Sequence, residues 1–501
     1  MRDGTVVAAI DMGSNSFRLQ LGVFESGEIC RTDYHKETVR LGQLDAELNI
    51  SAHAFRKGIE CLTRFSERLR GLEPHHVRVV ATQTLREAKN RQSFMEAAQA
   101  VLGFPIDVIS GREEARLIFS GCTHLLPQSP APRLVIDIGG RSTEVVSGVH
   151  HEANEMESYP IGSVGLSQQH FGDGDITTQT LALGKLAAMS ALEEIQQRFA
   201  QFKGAEHEVY GSSGTFGAVG DILEAAHGNA AVHTGQRTIT REGINWLKSR
   251  MVRAGHVGRL ELDALRADRR AVLPGGICVV DAVLELLGLE QIVLSEGALR
   301  HGVLYDLIER SDNSMDRRTR SVQWLVRKFS VDVAQAHRVS EAACMLFMHL
   351  RSEQPEFERM SQKLAWAALL HEVGTRISHE NSHKHGAYIV RNANITGFSI
   401  PELERLSMLV LGHKGKLKKM EFSMGDPLFV QQLACLRLAV ILCHARTTPD
   451  LDGMLFSREH HVLHLKLPHN WAQRFPQSAY LLEEESNLWK KSGLTWRLET
   501  I

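Results

Sequence analysis

Two stretches, 126 residues apart from Asp11 to Asp137, carry the same order of chemically useful residue types. "VVAAIDMGSNSFRL" (Val6–Leu19) and "RLVIDIGGRSTEVV" (Arg133–Val146) each run from apolar residues into Asp-x-Gly, through small polar residues, and back to apolar ones. Asp11 answers to Asp137, Gly13 to Gly139, Ser14 to Gly140 and Ser16 to Ser142. Glycine lets a backbone approach a ligand closely. Small hydroxyl and amide side chains beside free backbone N–H groups form a nest for anions. Ser14, Asn15 and Ser16 would supply it in the first stretch, and Gly139, Gly140, Ser142 and Thr143 in the second. A carboxylate ending the strand is poorly suited to phosphate itself. It suits hydrated Mg²⁺, which takes few carboxylates together with water and substrate oxygens. Asp11 and Asp137 are the candidates. Either stretch alone reads more readily as a glycine-rich turn with Asp as a turn residue. The repetition in a matched strand context reverses that preference.

Two further segments could join them. "GSSGTFGAVG" (Gly211–Gly220) follows the strand-like "EVY". Its Gly211, Ser212, Ser213, Gly214 and Thr215 could bring backbone donors and a helix N-terminus to a phosphate. It matches neither the dinucleotide GxGxxG pattern nor a GxxxxGK[ST] loop. In "SGREEAR", Glu113 and Glu114 begin a helix after Ser110 as N-cap. The positive helix end favours an ionised carboxylate at neutral pH, able to accept a proton from water. Acids also simply decorate first turns, and the residues by themselves do not choose between these readings.

The elements needed to position these residues are legible. Val6–Ile10 and Leu19–Phe24 read as a hairpin, followed by a helix around "FRKGIECLTRFSERLRGL" with apolar residues at helical spacing. A strand (Val77–Thr82) and a helix at "EEARLIFSGCTHLL" come next, and from Arg133 the pattern restarts. The expectation is α/β: two similar domains, 1–124 and 125–310, facing each other across a cleft. Composition then shifts to helical periodicity over 311–446, and 447–501 alternates like strands in a small α+β domain.

With 501 residues, 43% hydrophobic and 23% charged, the chain has the profile of several folded domains. Its net charge of -2 gives no general affinity for polyanions, so nucleic acid is not expected as a partner and any anion site must be a local cluster. Seven cysteines without a CxxC pair argue against a disulfide framework or zinc ribbon. The start carries no secretory pattern and no apolar run reaches the length of a membrane span, so a cytoplasmic protein is expected.

Taken in order, "IDMGSNSFRL", "ATQTLREAKN", "VISGREEARLIFSG", "VIDIGGRSTE", "GSSGTFGA" and "EGALRHGVL" resemble the exopolyphosphatase and guanosine pentaphosphate phosphohydrolase (Ppx/GppA) family. The resemblance covers about the first three-fifths of the chain. It implies duplicated actin-like (ribonuclease-H-like) domains, followed by an all-α HD-like domain and the small α+β C-terminal domain. It implies Glu114 as catalytic base and Mg²⁺ as cofactor, with Glu144 joining Asp137 as a ligand. Asn15 and Ser142 would bond phosphate oxygens, Arg86 would clamp a phosphate, and Arg18 is in place to meet substrate. Arg141 departs from the pattern, standing where many relatives have a small residue. The implied substrate is inorganic polyphosphate or, alternatively, guanosine pentaphosphate. Long members are often homodimers through their C-terminal domains, and peripheral contact with the inner membrane face is compatible with the resemblance. A nucleotide-binding actin-like regulator is the alternative of a different class.

"QAHRVSEAA", "LLHEVG", "SHKHGAYIV" and "VLGHK" resemble the HD metal-phosphohydrolase pattern, with His337, His371, His385 and His413 at ligand positions. Glu372 stands in place of the signature Asp and Val440 in place of a late acidic ligand, which favours a degenerate domain with a binding or dimerising role. "HKGKLKKM" carries Lys414, Lys416, Lys418 and Lys419, either a solvated face or a track for a long polyphosphate.

Overall fold

A computed structural model describes residues 1–500 apart from 205–207, 229–231, 234–235, 312–315, 351–356, 394, 418–419, 421–424, 460–461 and 491–494. The chain divides into two compact units, Met1–Met315 and Asp316–Ile501.

The first unit is built on two sheets with one topology. Strands β1 (Thr5–Met12), β2 (Ser16–Glu25), β3 (Glu28–Thr38), β4 (Val77–Ala81) and β5 (Ile106–Val108) lie in the order β3-β2-β1-β4-β5. The second lobe has β6 (Arg133–Ile138), β7 (Thr143–Val149), β8 (Glu152–Tyr159), β9 (Glu208–Ser212), β10 (Val232–His233), β11 (Gln236–Thr240) and β12 (Gln291–Leu294). Its order is β10-β11-β12-β9-β6-β7-β8. Reading β8-β7-β6-β9-β12 onto β3-β2-β1-β4-β5 reproduces the first sheet: an antiparallel meander of three, then two parallel strands. The repeat seen in two short sequence stretches is thus a repeat of whole lobes.

The expected first hairpin is longer than its apolar runs suggested, with only Gly13–Asn15 between β1 and β2. The central strands β1, β4 and β6 are almost wholly buried, which explains their near-continuous apolar composition. The edge strands β3 and β8 are rich in charged residues, as suits sheet edges that must not recruit another chain.

Helices Gly111–Thr123 and Leu299–Ser311 cross between the lobes. A Cβ on Gly302 would lie 1.8 Å from Leu117 O, and one on Gly121 2.3 Å from Ala298 O, so only glycine permits this backbone approach. Leu299, Val303, Leu304 and Leu307 join Val7, Ala9 and Val80 of the first lobe and Val135 and Val146 of the second in one core. The C-terminal helix of the expected second domain therefore belongs to the seam between both.

In the second unit, helices including Val333–His349, Ile400–Gly412 and Pro427–Leu442 precede strands β13 (Leu455–Glu459), β14 (Val462–Leu467) and β15 (Thr495–Thr500). The expected break at 446/447 is not a break in the core. Phe456, Leu463, Trp489 and Trp496 pack with Leu433, Leu436 and Phe429. A buried Arg437–Glu485 pair at 2.5 Å ties helix Pro427–Leu442 to helix Pro476–Lys490. No helix among the described residues is long and apolar enough to cross a membrane.

Candidate active site

The two Asp-x-Gly turns meet. A Cβ on Gly140 would lie 2.9 Å from Ser14 Cβ, so the equivalent positions of the two lobes touch. Asp11 and Asp137 line one cleft of about 250 Å³ with Gly13, Ser14, Asn15, Gly139 and Ser142. Ser213, Gly214 and Thr215 of the third glycine turn also line it. Ser213 takes φ +129°, a conformation L-residues rarely adopt, and its hydroxyl accepts from Thr215 N and Phe216 N at the start of helix Gly214–His227. Such strain persists where the surroundings impose it, commonly at functional sites.

The duplicated hairpins differ in one informative pair. Asp11 lies opposite Arg18 across β1–β2, and Asp137 lies opposite Glu144 across β6–β7, the same register 126 residues on. In the first lobe the pair is an ion pair, Arg18 Nη1 donating to Asp11 Oδ2 at 2.9 Å. In the second it is two buried carboxyls, a destabilising arrangement unless something cationic joins them. Burial, with the charges of Glu114 and Asp11 adding to it, pushes Asp137 up to about 7. Burial, Glu114 and Asp137 push Glu144 well above the usual carboxylate range. Glu144 Oε1 accepts from Ser158 Oγ at 2.8 Å, while its buried Oε2 has no hydrogen-bond partner.

Glu114 lines the cleft and is 6% exposed. Its helix begins at Ser110, whose hydroxyl accepts from Glu113 N. Burial raises the Glu114 pKa, partly countered by Arg86, whose Nη1 donates to Glu114 Oε2 at 2.9 Å. Burial therefore acts on Glu114 in the direction opposite to that expected of the helix end. The result suits a base better, since a carboxyl titrating closer to neutrality takes a proton more strongly. Glu113 points elsewhere, into a fully buried bidentate pair with Arg116 at 2.8 and 2.9 Å. The structure thus separates two acids that the residues, taken without the resemblance, left equivalent.

Several expected phosphate ligands retain unused capacity. Asn15 Nδ2, Ser16 Oγ and Arg86 Nη2 are buried with no hydrogen-bond partner. Others have their capacity spent. Thr143 Oγ1 donates to Ile161 O at 2.7 Å, and Ser212 Oγ donates to Gly297 O at 2.9 Å. Gly211 is glycine because a Cβ would strike the Phe216 ring at 2.6 Å. None of these three lines the cleft, and their contacts brace the turns beside it. Arg141 pairs with Glu87 at 2.7 Å and donates to Gly42 O, joining the lobes instead of entering the cleft. Lys414 and Lys416 are exposed on the second unit, and Lys418 and Lys419 fall outside the described residues.

Sequence reasoning missed the other cations of the cleft. Lys36 of β3, Arg269 and Arg300 line it with Arg18. Arg269 is buried against Gly214, where an added Cβ would meet its Nη2 at 2.0 Å. Burial and the nearby Arg269 and Arg18 lower Lys36 to about 8, and burial with Arg18 lowers Arg269 to about 10. Among the described residues none of these three makes an ion pair. Arg300 donates to Gln20 at 2.9 Å and stacks on Tyr34. The segments of Lys36 and Arg269, "TDYHKE" and "ADRRAV", carry the ordinary charge mix of a surface, and only the packing of the two lobes gathers them.

The residues present fit a hard divalent cation. Asp137 and Glu144 are adjacent, buried and mutually repelling, and a cation would relieve that repulsion. Among the described residues no three His, Cys, Asp or Glu side chains form a ready ligand set. Waters and substrate oxygens would have to complete the shell, which is how Mg²⁺ is usually held. Asp11 is the weakest of the three expected ligands, because Arg18 occupies one of its oxygens.

In the second unit two of the four expected histidines come together. His371 and His413 are buried, 5.4 Å apart between ring centroids, with Nδ1 of each bound to a backbone carbonyl at 2.6 Å. His383, not His385, stands next to His413, while His337 is exposed. Glu372 pairs with Arg446 at 2.8 Å, and Val440 packs against the core.

Residues 27–311 match the sequence model of the Ppx/GppA phosphatase family, and residues 317–486 match that of Ppx/GppA phosphatase, domain III. Among solved structures, an exopolyphosphatase from Cytophaga hutchinsonii is 23% identical, with a TM-score of 0.55 over 61% of this chain and 98% of that one. An exopolyphosphatase-like protein is 26% identical, with a TM-score of 0.53 over 62% of this chain and 100% of that one. The duplicated lobes, the facing turns and the matched sequence models agree: this chain belongs to the Ppx/GppA phosphatase family.

Proposed function

We propose that the chain is an exopolyphosphatase, releasing orthophosphate from the end of inorganic polyphosphate with Mg²⁺ as cofactor. The observation that carries this reading is the split polarity of one cleft. Glu114, Asp137 and Asp11 line it together with three cations, Lys36, Arg269 and Arg300, that make no ion pair among the described residues. An oligoanion with a metal-binding end answers both halves.

In this reading the terminal phosphate lies between the turns, taken by Asn15, Ser16 and the backbone around Gly139 and Gly140. Water forms the new P–O bond in line with the bridging oxygen, and its proton passes to Glu114. The bridging P–O bond breaks, and the shortened chain leaves as an oxyanion facing Lys36 and Arg269. Mg²⁺, held by Asp137 and Glu144, would neutralise charge on the transferred phosphoryl group. Positioning and charge stabilisation supply most of catalysis in such transfers.

Guanosine pentaphosphate offers the same terminal anhydride plus a base, and the Tyr34 ring lining the cleft favours keeping it as a second reading. Phosphate release from long polyphosphate and from guanosine pentaphosphate, each with and without Mg²⁺, tests both. Faster release from polyphosphate, dependent on Mg²⁺, is the expected result. Release from neither would overturn the reading.

A further inference from the structure

Beside the cleft, at the seam of the lobes, lies a charged network that the hydrolytic mechanism does not use. Its hub is Asp306, 2% exposed, on helix Leu299–Ser311. Asp306 accepts from Arg78 of β4, from Arg116 of helix Gly111–Thr123, and from Arg310 Nε at 2.5 Å. Arg116 holds Glu113 through two bonds with the same guanidinium that meets Asp306. Arg78 Nη2 also stands 3.9 Å from Glu113. Burial alone would raise the Asp306 pKa, and the three arginines outweigh it and hold the carboxyl well below the usual carboxylate range.

We propose that Asp306 is a positioning residue for the Glu114 carboxylate, acting through Arg116 and Glu113. This rests on the reading of Glu114 as the base. Glu113 and Glu114 are consecutive on one helix, so their side chains leave its axis about 100° apart. Fixing Glu113 in the seam therefore fixes the rotation of the helix and with it the aim of Glu114. A carboxyl about 6 Å from the axis moves roughly 1 Å for a rotation of about 10°. A misplacement of about 1 Å can cost roughly 10²-fold in rate. The helix carrying Asp306 meets helix Gly111–Thr123 at the Gly302–Leu117 contact, so the lock acts where the lobes join.

The test compares Asp306→Asn with wild type in the full chain. Tripolyphosphate binding stoichiometry counts competent sites, and rates are expressed per site. Arg116→Lys keeps the charge but loses the fork, and serves if Asp306→Asn does not fold. Expected is a kcat lower by about 10–100-fold with KM within about twofold. In a Glu114→Gln background the same change should lower the residual rate no further, because its effect runs through the missing base. An unchanged kcat per site, or a full multiplicative loss in the Glu114→Gln background, would overturn the proposal. Should Glu114→Gln itself keep wild-type turnover, the base assignment fails first and carries this proposal with it.

Discussion

Lys36 is the residue whose behaviour with pH reports most directly on the cleft. Its ammonium is disfavoured by burial and by Arg269 and Arg18, which lowers it to about 8. The sign follows: below about pH 8 it carries charge and attracts an anion, and above that it loses the proton and the attraction. A bound oligophosphate would return the proton, so binding above pH 8 should take up protons. KM for polyphosphate is expected to rise as pH passes 8, and Lys36→Met should flatten that rise. Steady-state kinetics between pH 6.5 and 9.5 would check this, and a flat wild-type KM would contradict it. Lys36 also marks a limit of sequence reading. It sits among alternating charges on an edge strand, which looks like any solvated face. Glu114 was legible as one of two candidates, but the choice between Glu113 and Glu114 became physical only with the Arg116 fork in view.

At the scale of elements, the hairpins were the readable part. Short-range chemistry builds each Asp-x-Gly turn from its own residues, so the duplication survives as a visible echo. Strand β8, which carries Ser158 to Glu144, left no such trace, because its acidic alternation hides a strand from an apolar pattern. Helix packing between the lobes was equally silent: glycine at Gly121 and Gly302 means nothing until two backbones meet. Gly302→Ala forces a Cβ toward Leu117 O at 1.8 Å, backbone that cannot step aside like a flexible side chain. A cost of about 1–3 kcal/mol is expected, read as a Tm lower by several degrees. Gly217→Ala, where nothing lies within 4 Å, is the matched control and should be neutral or stabilising by up to about 1 kcal/mol. Equal Tm values for the two variants would remove the close-approach argument.

For the whole molecule, two compact units each have their own buried core. All of the residues lining the cleft belong to the first unit. A fragment ending after Ser311 is therefore expected to fold, to unfold cooperatively, and to bind tripolyphosphate with near-native affinity. Scanning and titration calorimetry on the fragment would check all three points. Failure to fold would mean that the second unit is needed to complete the first. In the second unit the departures from the HD pattern were legible in the sequence, and the pairing of the histidines was not. His371 and His413 do approach each other, yet Glu372 is taken by Arg446 and Val440 offers no carboxylate.

In the proposed mechanism the buried Glu114, in a cleft lined by two equivalent turns, takes the proton of the attacking water. Phosphate release from polyphosphate by Glu114→Gln, measured beside its tripolyphosphate affinity with Mg²⁺ present, tests it most directly. The expected result is a kcat lower by about 10²–10⁴-fold with affinity retained within a few fold. Turnover at the wild-type rate with equal affinity would rule out Glu114 as the base.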